Sequence, residues 1–167
     1  MRKLLLLLLI CPILAAAQRK GFDLPRINGK VTYLGRADIK YNNFERSVKV
    51  SLGKYASYYN GLIMQQGNKM QDYILYQDTA VIVANVLFYV RQSLRYSLFS
   101  AEVTYQKLSN DSYGIKAIDF KYDKISQVYT GQGSAAVSLD NLPTYKNPRL
   151  YGMLQNEVEK LFKCSQE

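Results

Sequence analysis

Histidine is absent from all 167 residues, and so is tryptophan. Without histidine there is no Ser–His–Asp or Cys–His nucleophile, no imidazole metal ligand and no side chain that ordinarily titrates near neutrality. Cysteine is scarce, with Cys11 and Cys164 the two copies. Cys11 falls in an apolar leader; once that leader is removed, Cys164 is single and no intramolecular disulfide can form. The remaining metal donors are dispersed carboxylates, so neither a metal nor a cofactor is expected. Long basic runs are also missing: beyond the leader the longest cluster is the pair Arg19-Lys20, although the chain carries +9. Scattered cations describe a mildly basic, solvated surface, and nucleic acid is not an expected partner.

The leader is "MRKLLLLLLICPILAAAQ". Arg2 and Lys3 precede an apolar run from Leu4 to Leu14, and Ala15, Ala16 and Ala17 follow it. This is the layout of a secretory signal peptide with cleavage before Gln18. A membrane-spanning helix needs about 20 apolar residues, and Pro12 interrupts a run shorter than that. A lipid anchor on Cys11 is disfavoured because Ile10, not a small residue, stands before it. The expected location is the periplasm or the exterior, with no stable membrane anchor. Removing residues 1–17 leaves 150 of the 167, enough for one domain with a real core.

An extended lead-in is expected over residues 18–27. "GKVTYLGRADIK" (Gly29–Lys40) then reads as a strand. In "NNFERSVKVSLGKYASYYNG", Phe44, Val48, Leu52, Tyr55 and Tyr59 share one helical face. Asn42 with Glu45 three residues on resembles a capping box, and Asn60-Gly61 is a natural stop. "DYILYQD" and "TAVIVANVLFYVRQ" are β-rich and joined at Asp78-Thr79. "SLRYSLFSAEVTYQKL" alternates, with Phe99, Ala101, Val103 and Tyr105 on one face and Leu98, Ser100, Glu102 and Thr104 on the other. After the turn "SNDS", the last strand groups Ile118, Phe120 and Tyr122 together. Residues 126–147 contain small residues, two glycines and Pro143 and read as a long mobile connection. Asn147 as N-cap and Pro148 at the first helical position open a final helix, 148–167, whose stripe Leu150, Leu154, Val158 and Leu161 should dock on the domain.

The order is therefore β-α-β-β-β-β-α. A one-sided sheet and amphipathic helices bury their apolar faces only against another layer. The expected fold is α+β: a curved antiparallel sheet of about five strands over residues 28–125, with both helices packed on one face. The stretches "INGKVTY", "FERSVKVSLGKY", "DYILYQDTAVIVANV", "RYSLFSAEVTYQ" and "YGIKAIDFKYDKI", after a leader ending "AAAQ", carry a resemblance. On these residues the chain resembles a family of uncharacterised secreted Bacteroidota domains with a TATA-binding-protein-like fold. It departs from that pattern at "GKY" in the first helix, where a tryptophan-bearing segment is common. The resemblance implies a fold and a cell-envelope setting, and it brings no activity and no catalytic residues. It does not imply DNA binding, since TATA-binding protein uses two such repeats and one is present here.

Candidate chemistry is sparse. Asp119 and Asp123 are four residues apart on an extended strand, about 13 Å between Cα atoms. That exceeds the roughly 5–9.5 Å of paired glycosidase carboxyls. "GQGS" (Gly131–Ser134) lacks the spacing of a phosphate-binding loop. The one unusual abundance is tyrosine, at 15 copies. Tyrosine suits interfaces because it brings a large contact area and a polar tip with few rotatable bonds, and it equally suits a half-buried sheet. Tyr58, Tyr113 and Tyr129 are the candidate interaction surface, with Tyr58 lying off the core stripe of its helix. The expectation is a secreted or periplasmic interaction module, not an enzyme, that binds an envelope protein or glycan. The alternative is a carrier holding a small apolar ligand between sheet and helices.

Overall fold

The computed structural model describes residues 23–58, 74–92, 95–123, 137–141 and 147–167. A short hairpin comes first: β1 (Arg26–Ile27) pairs antiparallel with β2 (Lys30–Val31). Asn28 and Gly29 turn it with φ of 52° and 79°. Two successive left-handed residues are what a two-residue hairpin needs to match strand twist, and Asn-Gly supplies them at least cost. Of the extended lead-in expected over 18–27, Arg26 and Ile27 are extended and paired, and residues 18–22 lie outside the described residues. β3 (Tyr33–Asp38) is the longer strand that follows.

Helix α1 (Phe44–Ser57) begins one residue later than the capping-box reading placed it. Asn43 is the N-cap, its side chain accepting from the Arg46 N–H at 2.9 Å. Tyr41 and Asn42 instead take left-handed φ of 62° and 52°. Glu45, released from any reciprocal cap, pairs with Lys49 at 2.6 Å. The stripe holds, since Phe44, Val48, Leu52 and Tyr55 are all buried. Tyr59 and Asn60-Gly61 lie outside the described residues. Ser47 and Ser51 are buried on the same face and donate to the backbone four residues back, Ser47 to the Asn43 carbonyl and Ser51 to that of Ser47. That local bonding lets two hydroxyls enter the core without orphaned groups.

The main sheet runs β3-β7-β6-β5-β4, antiparallel throughout, from β4 (Ile74–Gln77), β5 (Val81–Gln92), β6 (Arg95–Lys107) and β7 (Ser112–Asp123). Asp78 makes the β4–β5 connection by accepting from the N–H groups of Ala80 and Val81 at 2.7 and 2.6 Å. Those bonds and the Tyr76 hydroxyl, the largest cause, hold its carboxyl below the usual range. The "SNDS" turn closes β6–β7 with Leu108 and Ser109 both donating to the Ser112 carbonyl.

Inward positions are Ile82, Ala84, Val86 and Phe88 on β5 and Phe99, Ala101, Val103 and Tyr105 on β6, all buried. On β7 they are Tyr113, Ile115 and Ala117, and then Phe120. The switch from odd to even positions has a local cause. Ser100 pairs with Lys121 but Glu102 with Ile118, so two residues of β7 face one of β6. The extra residue is a β-bulge, with Asp119 in the left-handed region at φ 53°. Since side chains alternate strictly along a strand, one inserted residue moves every later side chain to the other face. The expected grouping of Ile118 with Phe120 and Tyr122 is therefore corrected: Phe120 is fully buried and Tyr122 stacks on Phe99 at 4.9 Å, while Ile118 turns to the opposite side.

The connection expected to be mobile over 126–147 contains an ordered piece. β8 (Val137–Ser138) pairs with the far end of β7, and a 3₁₀ turn, Leu139–Asn141, follows. Leu139 is fully buried, and Asp140 accepts from the Val31 N–H at 2.8 Å. Arg26 reaches back to the carbonyls of Gly29 and Asp140 at 2.9 and 3.0 Å, which ties this piece to the first hairpin. The rest of that connection, 126–136 and 142–146, lies outside the described residues.

Helix α2 (Pro148–Gln166) opens as expected on Asn147, which accepts from the Leu150 N–H, with proline in its first turn. Leu150, Leu154, Val158 and Leu161 are buried between α1 and the sheet. The close approach depends on Gly35: a Cβ there would meet the Phe162 ring at 2.8 Å. At the helix end, the Gln166 side-chain amide donates to the Arg36 carbonyl at 3.3 Å. This covers part of the β3 edge, whose backbone would otherwise offer itself to another strand.

Candidate functional site

Both helices lie on one side of the sheet: α2 packs on β3, β5 and α1, and α1 reaches the sheet through Phe44 against Tyr113 and Tyr55 against Phe88. That side is filled by aromatic rings. Tyr33 and Phe120 are 5.5 Å apart between centroids, Phe88 stands 5.9 Å from both Phe120 and Tyr55, and Tyr105 and Tyr113 are 6.1 Å apart. Rings at these separations are in contact and leave no ligand-sized gap among themselves. Beside Tyr113, Ser51, Cys164 and Ser165 there is a cavity of about 10 Å³, the scale of one water.

Most of the described tyrosines that suggested an interface belong to this interior. Tyr113 is corrected here: it is fully buried, edge-on to Phe44 at 5.7 Å, with its hydroxyl near Ser51 Oγ and the Ser165 carbonyl. Its odd position on β7, before the bulge, points it at the helices, so it offers nothing to a partner. Tyr129 lies outside the described residues. Tyr58 does face outward, 59% exposed at the C-cap of α1, with the Lys160 ammonium 5.7 Å from its ring centre.

The hydroxyls of Tyr33 and Tyr105 are buried with no hydrogen-bond partner among the described residues. Burial is the main reason their pKa values lie far above the ordinary tyrosine value. Tyr105→Phe keeps the ring and removes a hydroxyl that lost its water on folding. Urea denaturation should show a gain of about 1 kcal/mol. Equal or lower stability would mean that the hydroxyl is bonded in solution.

The remaining chemistry is limited. Burial raises the pKa of the Cys164 thiol, which keeps it protonated and poorly nucleophilic. Asp119 pairs with Lys30 at 3.4 Å on the surface. Nothing is described of the Asp123 side chain. Among the described residues no three His, Cys, Asp or Glu side chains come together, and no helix is long and apolar enough to cross a membrane.

The other side of the sheet carries neither helix. It is built from Leu34 and Arg36 on β3, Lys116 and Ile118 on β7, Leu98, Ser100, Glu102 and Thr104 on β6, and Val83, Asn85 and Leu87 on β5. Tyr76 on β4 completes it, and Tyr89 on β5, paired with Leu98 on this same side, is 6% exposed, so the end of the face at Tyr89 is already covered. The ladder aligns Leu34, Lys116, Thr104, Val83 and Tyr76 in one row across five of the six strands. Leu34 is 62% exposed at one end of the row and Tyr76 53% at the other. Lys116 is exposed between them with no ion pair among the described residues. Leu108, 56% exposed, extends the apolar area over Gly114. Sequence reasoning had separated the Leu98/Ser100/Glu102/Thr104 face from its buried counterpart. Its mixture of aliphatic and polar side chains was the available signal, but only the register shows five strands contributing to one surface.

Fold and surface together define an α+β domain of two layers, a six-stranded antiparallel sheet with two helices on one side and, opposite them, a partly apolar side that carries neither. Comparison with protein-family models gives no match, and no curated protein matches the chain. Two solved structures are similar to it. One is a TBP-like protein from Parabacteroides distasonis, 12% identical, covering 84% of this chain and 96% of its own, with a TM-score of 0.49. The other is a DUF4468 family protein from Bacteroides ovatus, 11% identical, covering 84% and 83%, with a TM-score of 0.46. At these scores the description of the fold rests on this chain's own topology.

Proposed function

We propose that the protein is a non-catalytic interaction module of the cell envelope that binds a protein partner through the side of its sheet opposite α1 and α2. One observation carries the reading: a row across five strands ends in exposed Leu34 and Tyr76 and holds an unpaired Lys116 between them. Exposed aliphatic and aromatic side chains around a cation are the composition of a contact surface. Exposed Leu34 and Leu108 favour a protein over a glycan, whose many hydroxyls call for polar partners. Contact between the rings on the helical side supports this reading over a carrier of apolar ligands, which needs roughly 300 Å³ or more of pocket. The missing histidine and the buried thiol support a role other than catalysis. The leader motivates the envelope setting, with a mature chain starting at Gln18.

In situ cross-linking followed by capture of the tagged protein from the envelope fraction tests this. Leu34→Asp should reduce the captured partner at least tenfold, because a carboxylate is placed in the contact. Tyr58→Ala is the comparison, since exposure also made that residue a candidate. Both variants change exposed positions, so folding stability should shift by no more than about 0.5 kcal/mol. Loss of capture with Tyr58→Ala alone would move the surface to the helical side and end this proposal. Terminal sequencing of the captured protein should read Gln18; a lipid-modified Cys11 at the terminus would overturn the cleavage assignment.

A further inference from the structure

We infer that the partner of the face opposite α1 and α2 is a second copy of this chain, packed sheet to sheet about a two-fold axis; the inference rests on the reading of that face given above. Two observations favour a copy. The first is size. The strands contributing to the face have 6, 12, 13, 12 and 4 residues. At about 3.3 Å per residue and about 4.8 Å between strands, the face projects roughly 700 Å². A stable interface of standard size buries about 800 Å² on each partner. The end at Tyr89 is already covered, so one sheet laid on another buries somewhat less than this standard area on each copy, which fits a dimer of moderate affinity.

The second is charge. An interface about a two-fold axis must be complementary to itself, so that residue i of one copy meets residue j of the other and j meets i. Near the middle of the face, Thr104 pairs with Lys116 and Glu102 with Ile118, which sets Lys116 and Glu102 on one diagonal. Neither has an ion pair among the described residues. An axis passing between them brings each lysine over the other copy's glutamate, with two salt bridges formed from groups that one copy leaves unused. Val83 and Ile118 flank this pair, Leu87 and Leu98 follow farther along the strands, and all four are half-buried already, as expected of side chains that complete their burial in a sandwich. Arg36 stands at the β3 edge, where salt screens its repulsion, while Lys121, exposed and paired with Ser100, flanks Glu102 on its other diagonal and adds a second cation beside the same carboxylate.

Sedimentation equilibrium of the purified protein tests the inference. A dimer with a dissociation constant of about 10 µM or tighter is expected. Lys116→Glu or Glu102→Lys, each placing like charges together, should weaken it at least tenfold. The double variant carrying both reversals should recover to within about threefold of the parent, since the exchanged pair meets again. Circular dichroism checks folding, and Leu34→Asp, at an exposed edge position, supplies an independent variant that should also dissociate the dimer. A monomer throughout the range overturns the second copy as partner. The proposed contact face then survives only if Leu34→Asp still abolishes capture from the envelope. A dimer indifferent to both single reversals, or one that the double variant does not restore, also overturns the arrangement.

Discussion

Phe120→Ala is expected to cost about 3–5 kcal/mol, while Ile118→Ala, two residues away on the same strand, should cost about 1 kcal/mol or less. The difference comes from the bulge. Phe120 is fully buried and touches Tyr33 and Phe88 through its ring. Truncation removes that contact area and leaves a space that its rigid ring neighbours cannot close. Ile118 lies on the half-buried opposite side, where water or a partner replaces the lost methyl groups. Thermal unfolding should register the first change as a fall of about 6–20 °C. Equal losses for the two variants would mean that the strand runs without an inserted residue and that Asp119 is not a bulge. Asp119→Gly offers a check, since glycine takes the left-handed φ of 53° without strain and should leave stability nearly unchanged.

Leu154→Asp should have an effect of similar size, with a pH signature that simple truncation lacks. Leu154 is fully buried on α2, between α1 and the sheet. A carboxylate there has no cation partner, and an uncompensated buried charge costs about 3–5 kcal/mol. The sign of the pH dependence follows from desolvation, which raises the folded-state pKa of the new carboxyl above its unfolded value near 3.9. The variant's deficit should therefore be smallest at acidic pH, where the group is neutral in both states. It should grow as pH rises above the unfolded pKa and level off above the folded one. Urea titrations at several pH values, each referred to the parent protein, measure it. A deficit independent of pH would show that α2 swings away to solvate the charge. Complete loss of helical docking at all pH values would be visible as rapid amide exchange across 148–166.

The elements with strong local causes were legible. The stripe Phe44, Val48, Leu52 and Tyr55 repeats at helical spacing, and α1 buries it. Asn147 and Pro148 announce the start of α2, and the structure uses both. Phe99, Ala101, Val103 and Tyr105 alternate and all enter the core. In each case neighbouring residues on one element carry the information, so the periodicity of a helix or strand translates directly into a face. The Asn28-Gly29 hairpin was also written locally and was passed over for the longer apolar run that follows it.

Other features depend on residues far apart in the chain. Whether Tyr113 faces a partner or the core depends on which side of the sheet receives the helices. The docking of both helices decides that, and nothing in a tyrosine beside a turn reveals it. The β8 segment looked like a mobile connection because its small residues carry no periodicity. It is held by long-range bonds that Arg26 and the Val31 N–H, more than a hundred residues away, donate to Asp140 just after it. The bulge at Asp119 is similar, since an inserted residue is defined only by the mismatch between two strands. The absence of histidine and the scarcity of cysteine limit the available chemistry from the sequence alone, because composition does not depend on conformation. The candidate contact surface is a product of register: Leu34 and Tyr76, at opposite edges of the sheet, share a row only because four antiparallel pairings align them.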